Sequence, residues 1–246
     1  MWDRPALMNT VADILFGVAV LAVAAVVLMR VAQLPAFALR EVRIGGELRH
    51  VTPEQVRDVV RRELKGNFFT LDLAHTRGAF ERLPWVRHAD VRRQWPARLD
   101  VALEEHVPIA RWSDAALVNT HGELFRAAFD DALPVFAGPE DAVREIAIQY
   151  RYFRRSLAAV GEAPALVQVT ARRAWQLKLE SGTTLALGRE DIEARLARFV
   201  SVYGSAVTRL GRKVDYVDLR YPNGFAVRVP ELRDEKAPPA RARRKG

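Results

Sequence analysis

The chain has 246 residues, half of them hydrophobic, which is enough for one or two cored domains. It contains no cysteine, so disulfides, zinc–thiolate sites and a thiol nucleophile are excluded together. The formal net charge of +8 raises the question of nucleic acid, but no aromatic-studded basic strand and no DNA-reading motif accompanies it.

Apolar residues run without a charge from Ile14 to Met29 (ILFGVAVLAVAAVVLM). That is about 24 Å of helix at 1.5 Å per residue, slightly short of a bilayer core of about 30 Å. Val11 and Ala12 before it, and Val31 and Ala32 after it, lengthen the run, with Asp13 and Arg30 near its ends. The predicted transmembrane helix spans 11–33 and follows a short segment, 1–10. A cleaved signal peptide competes with this reading, because Ala36-Phe37-Ala38 resembles an A-x-A cleavage site. A buried core helix fits poorly, because the segment has no polar face. The flanking charges, Arg4 before and Arg30, Arg40 and Arg43 after, do not favour a cytoplasmic N-terminus. Large domains, however, translocate largely regardless of charge.

After Leu34-Pro35 the pattern becomes that of a soluble domain. Leu39 to Ile44 alternates as a strand, and Gly45-Gly46 turns the chain. Thr52-Pro53-Glu54-Gln55 starts a helix: Thr52 caps, Pro53 suits the first helical position, and Gln55 reaches back. Val56, Val59, Val60 and Leu64 form its apolar stripe, and Gly66 ends it. Asp72 caps a second helix that reaches about Leu83, and Pro84 stops it. Val86 to Trp95 and Leu99 to Glu105 read as two strands joined at Trp95-Pro96. Phe68, Phe69, Trp85 and Trp95 read as core or strand-edge residues.

The order β-α-α-β-β just after an anchor resembles a POTRA domain, expected over 37–107. The stretches NFFTLDL, LPWVRHADVRRQWP and LDVALEEHVPIARW resemble those of the bacterial FtsQ/DivIB family of cell-division proteins.

A second domain is expected over 108–232. Ala116 to Asn119 and Glu123 to Phe125 form short strands around Thr120-His121-Gly122, and ALVNTHGELF again resembles the family. Gly138-Pro139-Glu140 opens a long helix whose apolar face carries Val143, Ile146, Tyr150, Phe153, Leu157 and Val160. Strands follow at Val167–Thr170, Ala174–Glu180 and Thr184–Leu187, then a helix from Asp191 to Tyr203. Val214 to Tyr221 and Phe225 to Val229 flank Pro222-Asn223-Gly224, where Asn-Gly signals a hairpin. TARRAWQL, LGREDIEARLARFVSVY and GRKVDYVDLRYPNGFAVRV are similar to the family pattern, so the resemblance covers about residues 10 to 232. The expected fold is α+β: one N-terminal transmembrane helix, a POTRA domain, and a second α+β domain with a mostly antiparallel sheet. Residues 233–246 hold six basic side chains against two acidic ones, with Pro238 and Pro239 and little to bury. They read as a disordered basic tail.

No catalytic constellation stands out. His50, His75, His88, His106 and His121 lie singly, without metal-ligand spacing. Glu104-Glu105-His106 ends a strand, so its side chains alternate faces, and Asp130-Asp131 reads as a solvated turn. There is no G-x-S-x-G, S-x-x-K or Walker-type phosphate loop. The expectation is a protein that binds and does not catalyse, without cofactor, metal, nucleic acid or small-molecule substrate.

If Phe225 to Val229 lies at a sheet edge, its unpaired N–H and C=O groups can accept a partner strand, with Tyr221, Phe225 and Val227 supplying specificity. An ordinary core-covering strand is the alternative. The resemblance implies a divisome scaffold of the inner membrane, N-terminus cytoplasmic and bulk periplasmic, at the division septum. It also implies binding to FtsB, held with FtsL, through the end of the second domain. Carried across by motif, the candidates are Arg172, Tyr221, Asn223, Phe225 and Val227, although Arg172 reads equally well as a surface charge. Two other classes compete: a POTRA-bearing assembly factor for outer-membrane proteins and a membrane-anchored wall enzyme.

Overall fold

The computed structural model describes residues 5–32, 34, 37–113, 115–206, 214–222 and 224–229. Helix α1 runs from Pro5 to Ala32. Its stretch from Asn9 to Val31 is long and apolar enough to cross a membrane, and none of it is buried by the rest of the protein. At 1.5 Å per residue it spans about 34 Å, more than the uncharged core alone provides. The chain then divides into two compact units, 1–105 and 106–246.

The first unit forms β1 (Glu41–Gly45), α2 (Pro53–Glu63), α3 (Leu73–Glu81), β2 (Val86–Gln94) and β3 (Arg98–Glu105). This is the β-α-α-β-β order of the sequence. The helix starts are chemically fixed. Thr52 Oγ1 accepts from Gln55 N at 3.3 Å while Gln55 Oε1 accepts from Thr52 N at 3.0 Å, a complete capping box. Asp72 Oδ1 accepts from Ala74 N and His75 N at 2.9 and 3.0 Å. The three strands lie in the order β1-β3-β2, with β1 parallel and β2 antiparallel to the central β3. Gly46 turns the chain out of β1 at φ +125, where a side chain would collide with the Leu103 carbonyl. Alternation puts Leu99, Val101 and Leu103 of β3 inside with Ala89 and Val91 of β2. Helix α3 packs on β2 and α2 packs on α3, which buries Phe80 completely.

In the second unit nine strands among the described residues form one sheet: β4 (Pro108–Trp112), β5 (Ala116–Asn119), β6 (Leu124–Phe125), β7 (Val135–Ala137), β8 (Pro164–Val169), β9 (Trp175–Leu179), β10 (Thr184–Gly188), β11 (Tyr216–Asp218) and β12 (Ala226–Arg228). Their order is β12-β11-β10-β9-β8-β7-β4-β5-β6. Five pairings are antiparallel and three are parallel, so the sheet is mostly antiparallel. The parallel pairs β7–β8 and β10–β11 exist because α4 (Val143–Ala158) and α5 (Ile192–Ala206) cross between their strands. The stripe Ile146, Tyr150, Phe153 and Leu157 of α4 is buried as the periodicity requires, and Val160, beyond the helix, packs at the core's margin. Leu196 and Phe199 of α5 reach the same core.

Strands β4 and β7 had no counterpart in the sequence reading. Two other local features account for motif residues. Asn119, completely buried, accepts at Oδ1 from His121 N and Glu123 N, both at 2.9 Å, and its Nδ2 donates to Glu123 Oε2 at 2.7 Å. Gly122, at φ +74, fits under α4 because a Cβ there would lie 2.7 Å from Arg144 Cα. Thus Asn119, Thr120, His121 and Gly122 form a turn built to pass beneath a helix. Of the four motif aromatics in the first unit, Phe68 and Trp85 are buried, whereas Phe69 and Trp95 are 48% and 64% exposed.

Candidate partner-binding edge

Strand β12 ends the nine-stranded sheet. It pairs on one side with β11 in antiparallel register, Tyr216↔Arg228, Val217↔Val227 and Asp218↔Ala226. Among the described residues no strand lies on its other side. Alternate N–H and C=O groups therefore point away from the sheet without a ladder partner. The register is symmetric about residue 222, so the hairpin turns around Pro222. A two-residue Asn223-Gly224 loop would instead pair Pro222 with Phe225. The connection from 219 to 225 is accordingly wider than the Asn-Gly signal suggested. Asn223 itself lies outside the described residues.

The side chains divide by face. Phe225 is half-buried, its ring 6.3 Å from that of Phe199 on α5. Val227 is also half-buried and packs against the core, and Val229 is buried. Ala226 and Arg228 face solvent, and Tyr221 is 55% exposed at the turn. Arg228 lies over the Tyr216 ring at 5.2 Å, a contact worth about 0.5–1 kcal/mol at an exposed site. The sequence had nominated Phe225 and Val227 and overlooked Ala226 and Arg228. The alternation of FAVRV did carry that signal, once one face was known to be the core.

Two arginines hold the hairpin near its turn. Asp218 Oδ1 accepts from Arg220 Nε and N at 2.9 and 3.1 Å, and Oδ2 accepts from Arg220 Nη2 at 2.6 Å. These bonds hold the Asp218 carboxyl below the ordinary carboxylate range, against the effect of its burial, and raise Arg220 further. Arg198 of α5 donates through Nη1 to the Pro222 carbonyl. On the same helix Tyr203 donates to Glu162 at 2.7 Å, and burial, followed by that bond, pushes its hydroxyl up to about 12. These shifted groups keep one charge state across neutral pH.

Arg172 sits apart from this edge. It occupies the turn Thr170–Ala174 between β8 and β9, exposed, at the end of the sheet where β11 also ends. Strands β10 and β11 intervene, so β9 lies about 14 Å from β12 at ~4.8 Å per strand. Its neighbour Arg173 is the anchored one: at φ 59 it bonds Asp141 at 2.7 Å and Glu145 at 3.0 Å, at the start of α4. The structure thus gathers Tyr221, Phe225 and Val227 and sets Arg172 to one side. No cluster of three or more His, Cys, Asp or Glu suited to a metal occurs among the described residues.

The two units correspond to two family models. Residues 37–106 match the POTRA domain of FtsQ type, and residues 110–220 match the C-terminal part of the cell-division protein FtsQ/DivIB. Along the whole chain, the cell-division protein FtsQ of Nitrosospira multiformis is 48% identical over 233 residues, covering 93% of this chain and 99% of that protein. The chain belongs to the FtsQ/DivIB family. FtsQ of Burkholderia pseudomallei is 43% identical over 240 residues, 95% of this chain and 96% of its own. FtsQ of Coxiella burnetii is 32% identical over 191 residues, 76% and 79% of the two chains. Membership places the protein among those of the cell-division machinery, and helix α1 fits a single-pass membrane protein. The family match of the second unit ends at 220, so it contains Arg172 but not the β12 hairpin tip.

Proposed function

We propose that this protein is a bitopic inner-membrane scaffold of the divisome that captures FtsB, held with FtsL, by strand addition to β12, and so helps control septal wall synthesis. Residues 1–10 would lie in the cytoplasm and 11–33 span the membrane. The POTRA domain (37–107) and the second domain (108–232) would lie in the periplasm at the septum, with 233–246 as a basic tail. The observation that carries the reading is that, among the described residues, no strand pairs with the outer side of β12 at the end of the sheet. Tyr221, Phe225 and Val227 flank that edge or form it; Asn223, outside the described residues, would join them, and Arg172 would add a charge at the same end of the sheet. The role is one of binding, without catalysis, cofactor, nucleic acid or small-molecule substrate. Replacing Phe225 with Lys is expected to weaken co-purification of the full chain with FtsB–FtsL while far-UV dichroism stays unchanged. Undiminished co-purification would sink the edge-strand proposal. Because Phe225 is half-buried against Phe199, the exposed variant Ala226→Lys serves as the second arm.

A further inference from the structure

In the first unit beyond Leu34, Phe69 and Trp95 are the only exposed large hydrophobic side chains among the described residues, and they belong to one cluster. The Phe69 ring lies 5.0 Å from Phe37, 5.3 Å from Phe68 and 6.5 Å from Trp95. Three separate segments meet there: Phe68 N donates to Phe37 O at 2.9 Å, and Arg40 N donates to Ala97 O at 2.9 Å. The cluster is therefore one end of the domain, made by the entry to β1, the α2–α3 loop and the β2–β3 turn.

That end is also the one tied to α1. Leu34 N donates to Val31 O at 3.1 Å, and Phe37 N donates to Leu34 O at 3.0 Å. Each such four-residue turn keeps its end Cα atoms within about 7 Å, so Phe37 lies no more than about 14 Å from Val31, the last residue of the candidate span. Arg40 and Lys65, both exposed and without an ion pair among the described residues, lie on two of the segments that carry these rings, Arg40 three residues after Phe37 and Lys65 in the α2–α3 loop before Phe68. The acidic side chains nearby are engaged: Glu41 with Arg43 at 2.6 Å, and Asp72 with its helix N-terminus. Aromatic rings beside free cations, held this close to a hydrocarbon boundary, match the composition of a membrane–water interface.

We infer that this end of the POTRA domain docks on the headgroup region of the membrane that α1 spans, with Phe69 and Trp95 entering the interface and Arg40 and Lys65 facing anionic lipid. The inference rests on α1 being a membrane span, and the two are tested separately. The chain has no cysteine, so single-cysteine labelling is clean. The full chain carrying Gln94→Cys, beside Trp95, is labelled with an environment-sensitive fluorophore and reconstituted into vesicles. These are phosphatidylcholine alone or an equal mixture with phosphatidylglycerol. Glu47→Cys, beyond the opposite end of β1, is the reference. Flotation with the vesicles reports the span alone. Docking is expected to give a blue shift and intensity gain at 94 but not at 47, larger with phosphatidylglycerol and reduced by salt. The double variant Phe69→Ser, Trp95→Ser is expected to abolish it while dichroism is retained. Equal emission at 94 and 47 in floated protein, or a shift that survives the double variant, overturns the docking. A shift of equal size in both lipids overturns the assignment to anionic lipid.

Discussion

Glu105 shows how much one side chain can hold. Its oxygens accept from the backbone N–H groups of Arg49 at 3.1 Å, His50 at 3.0 Å and Val51 at 2.8 Å, and Oε2 lies 3.1 Å from His50 Nδ1. The His50 ring in turn stacks on Trp85 at 3.7 Å. Burial alone would raise the Glu105 carboxyl, but the donated bonds outweigh it and leave the group below its ordinary value. A depressed folded value means a contribution present above the unfolded value, about 4.3, and lost as pH falls through the folded one. Glu105→Gln is therefore expected to cost about 1–3 kcal/mol at pH 7 and to lose that deficit below about pH 4. The check is amide exchange at Arg49, His50 and Val51 in both proteins: protection that is equal at pH 7 would refute it. Gly122 is the steric counterpart. Gly122→Ala would place a methyl 2.7 Å from Arg144 Cα and 3.3 Å from Ala147 Cβ at a left-handed φ, and no flexible side-chain tip is there to yield. Helix α4 or the turn must move, at a cost of at least about 2 kcal/mol, read as a lowered unfolding midpoint.

At the scale of elements, β12 makes the sharpest demand. Successive N–H groups along a strand point to opposite sides, so proline at Ala226 and proline at Val227 remove bonds on different sides. One of the two variants is expected to keep the hairpin folded and weaken FtsB–FtsL capture about fivefold, the worth of about one hydrogen bond. Undiminished capture by both variants would mean that β12 is not extended by a partner. The same hairpin marks what could be read from sequence. Local chemistry was legible: the caps at Thr52 and Asp72, the α4 stripe and the alternation of Leu99, Val101 and Leu103 all reappear in space. Strand β7 was not, because three residues (Val135–Ala137) pair in parallel with β4 and β8 and have no local pattern of their own. Strand β4 was hidden because Pro108 opens it and a register shift at Pro108/Ala110 breaks its alternation. Whether Phe225 to Val229 lay at an edge depended on strand order. That order is set by α5 crossing between β10 and β11, more than 15 residues earlier in the chain. The family resemblance could nominate Tyr221 and Phe225, whereas which of the neighbouring side chains turn inward needed the sheet.

For the whole molecule the open question of sequence was which side of the membrane holds the two units. The basic residues flanking the apolar run Ile14–Met29, Arg4 before it and Arg30, Arg40 and Arg43 after it, oppose a cytoplasmic N-terminus by the loop rule. That rule weakens once the following segment is a folded domain, and here two compact units follow the helix. The proposed function puts both units on the periplasmic side. In spheroplasts, a membrane-impermeant maleimide is expected to label Glu47→Cys without permeabilisation, whereas Asp3→Cys should react only after lysis. Depletion of the protein should then yield filamentous cells with a normal complement of outer-membrane proteins. Labelling at position 3 in intact spheroplasts would reverse the topology and, with it, the capture of any periplasmic partner by β12. Outer-membrane protein loss with normal division would instead favour an assembly factor.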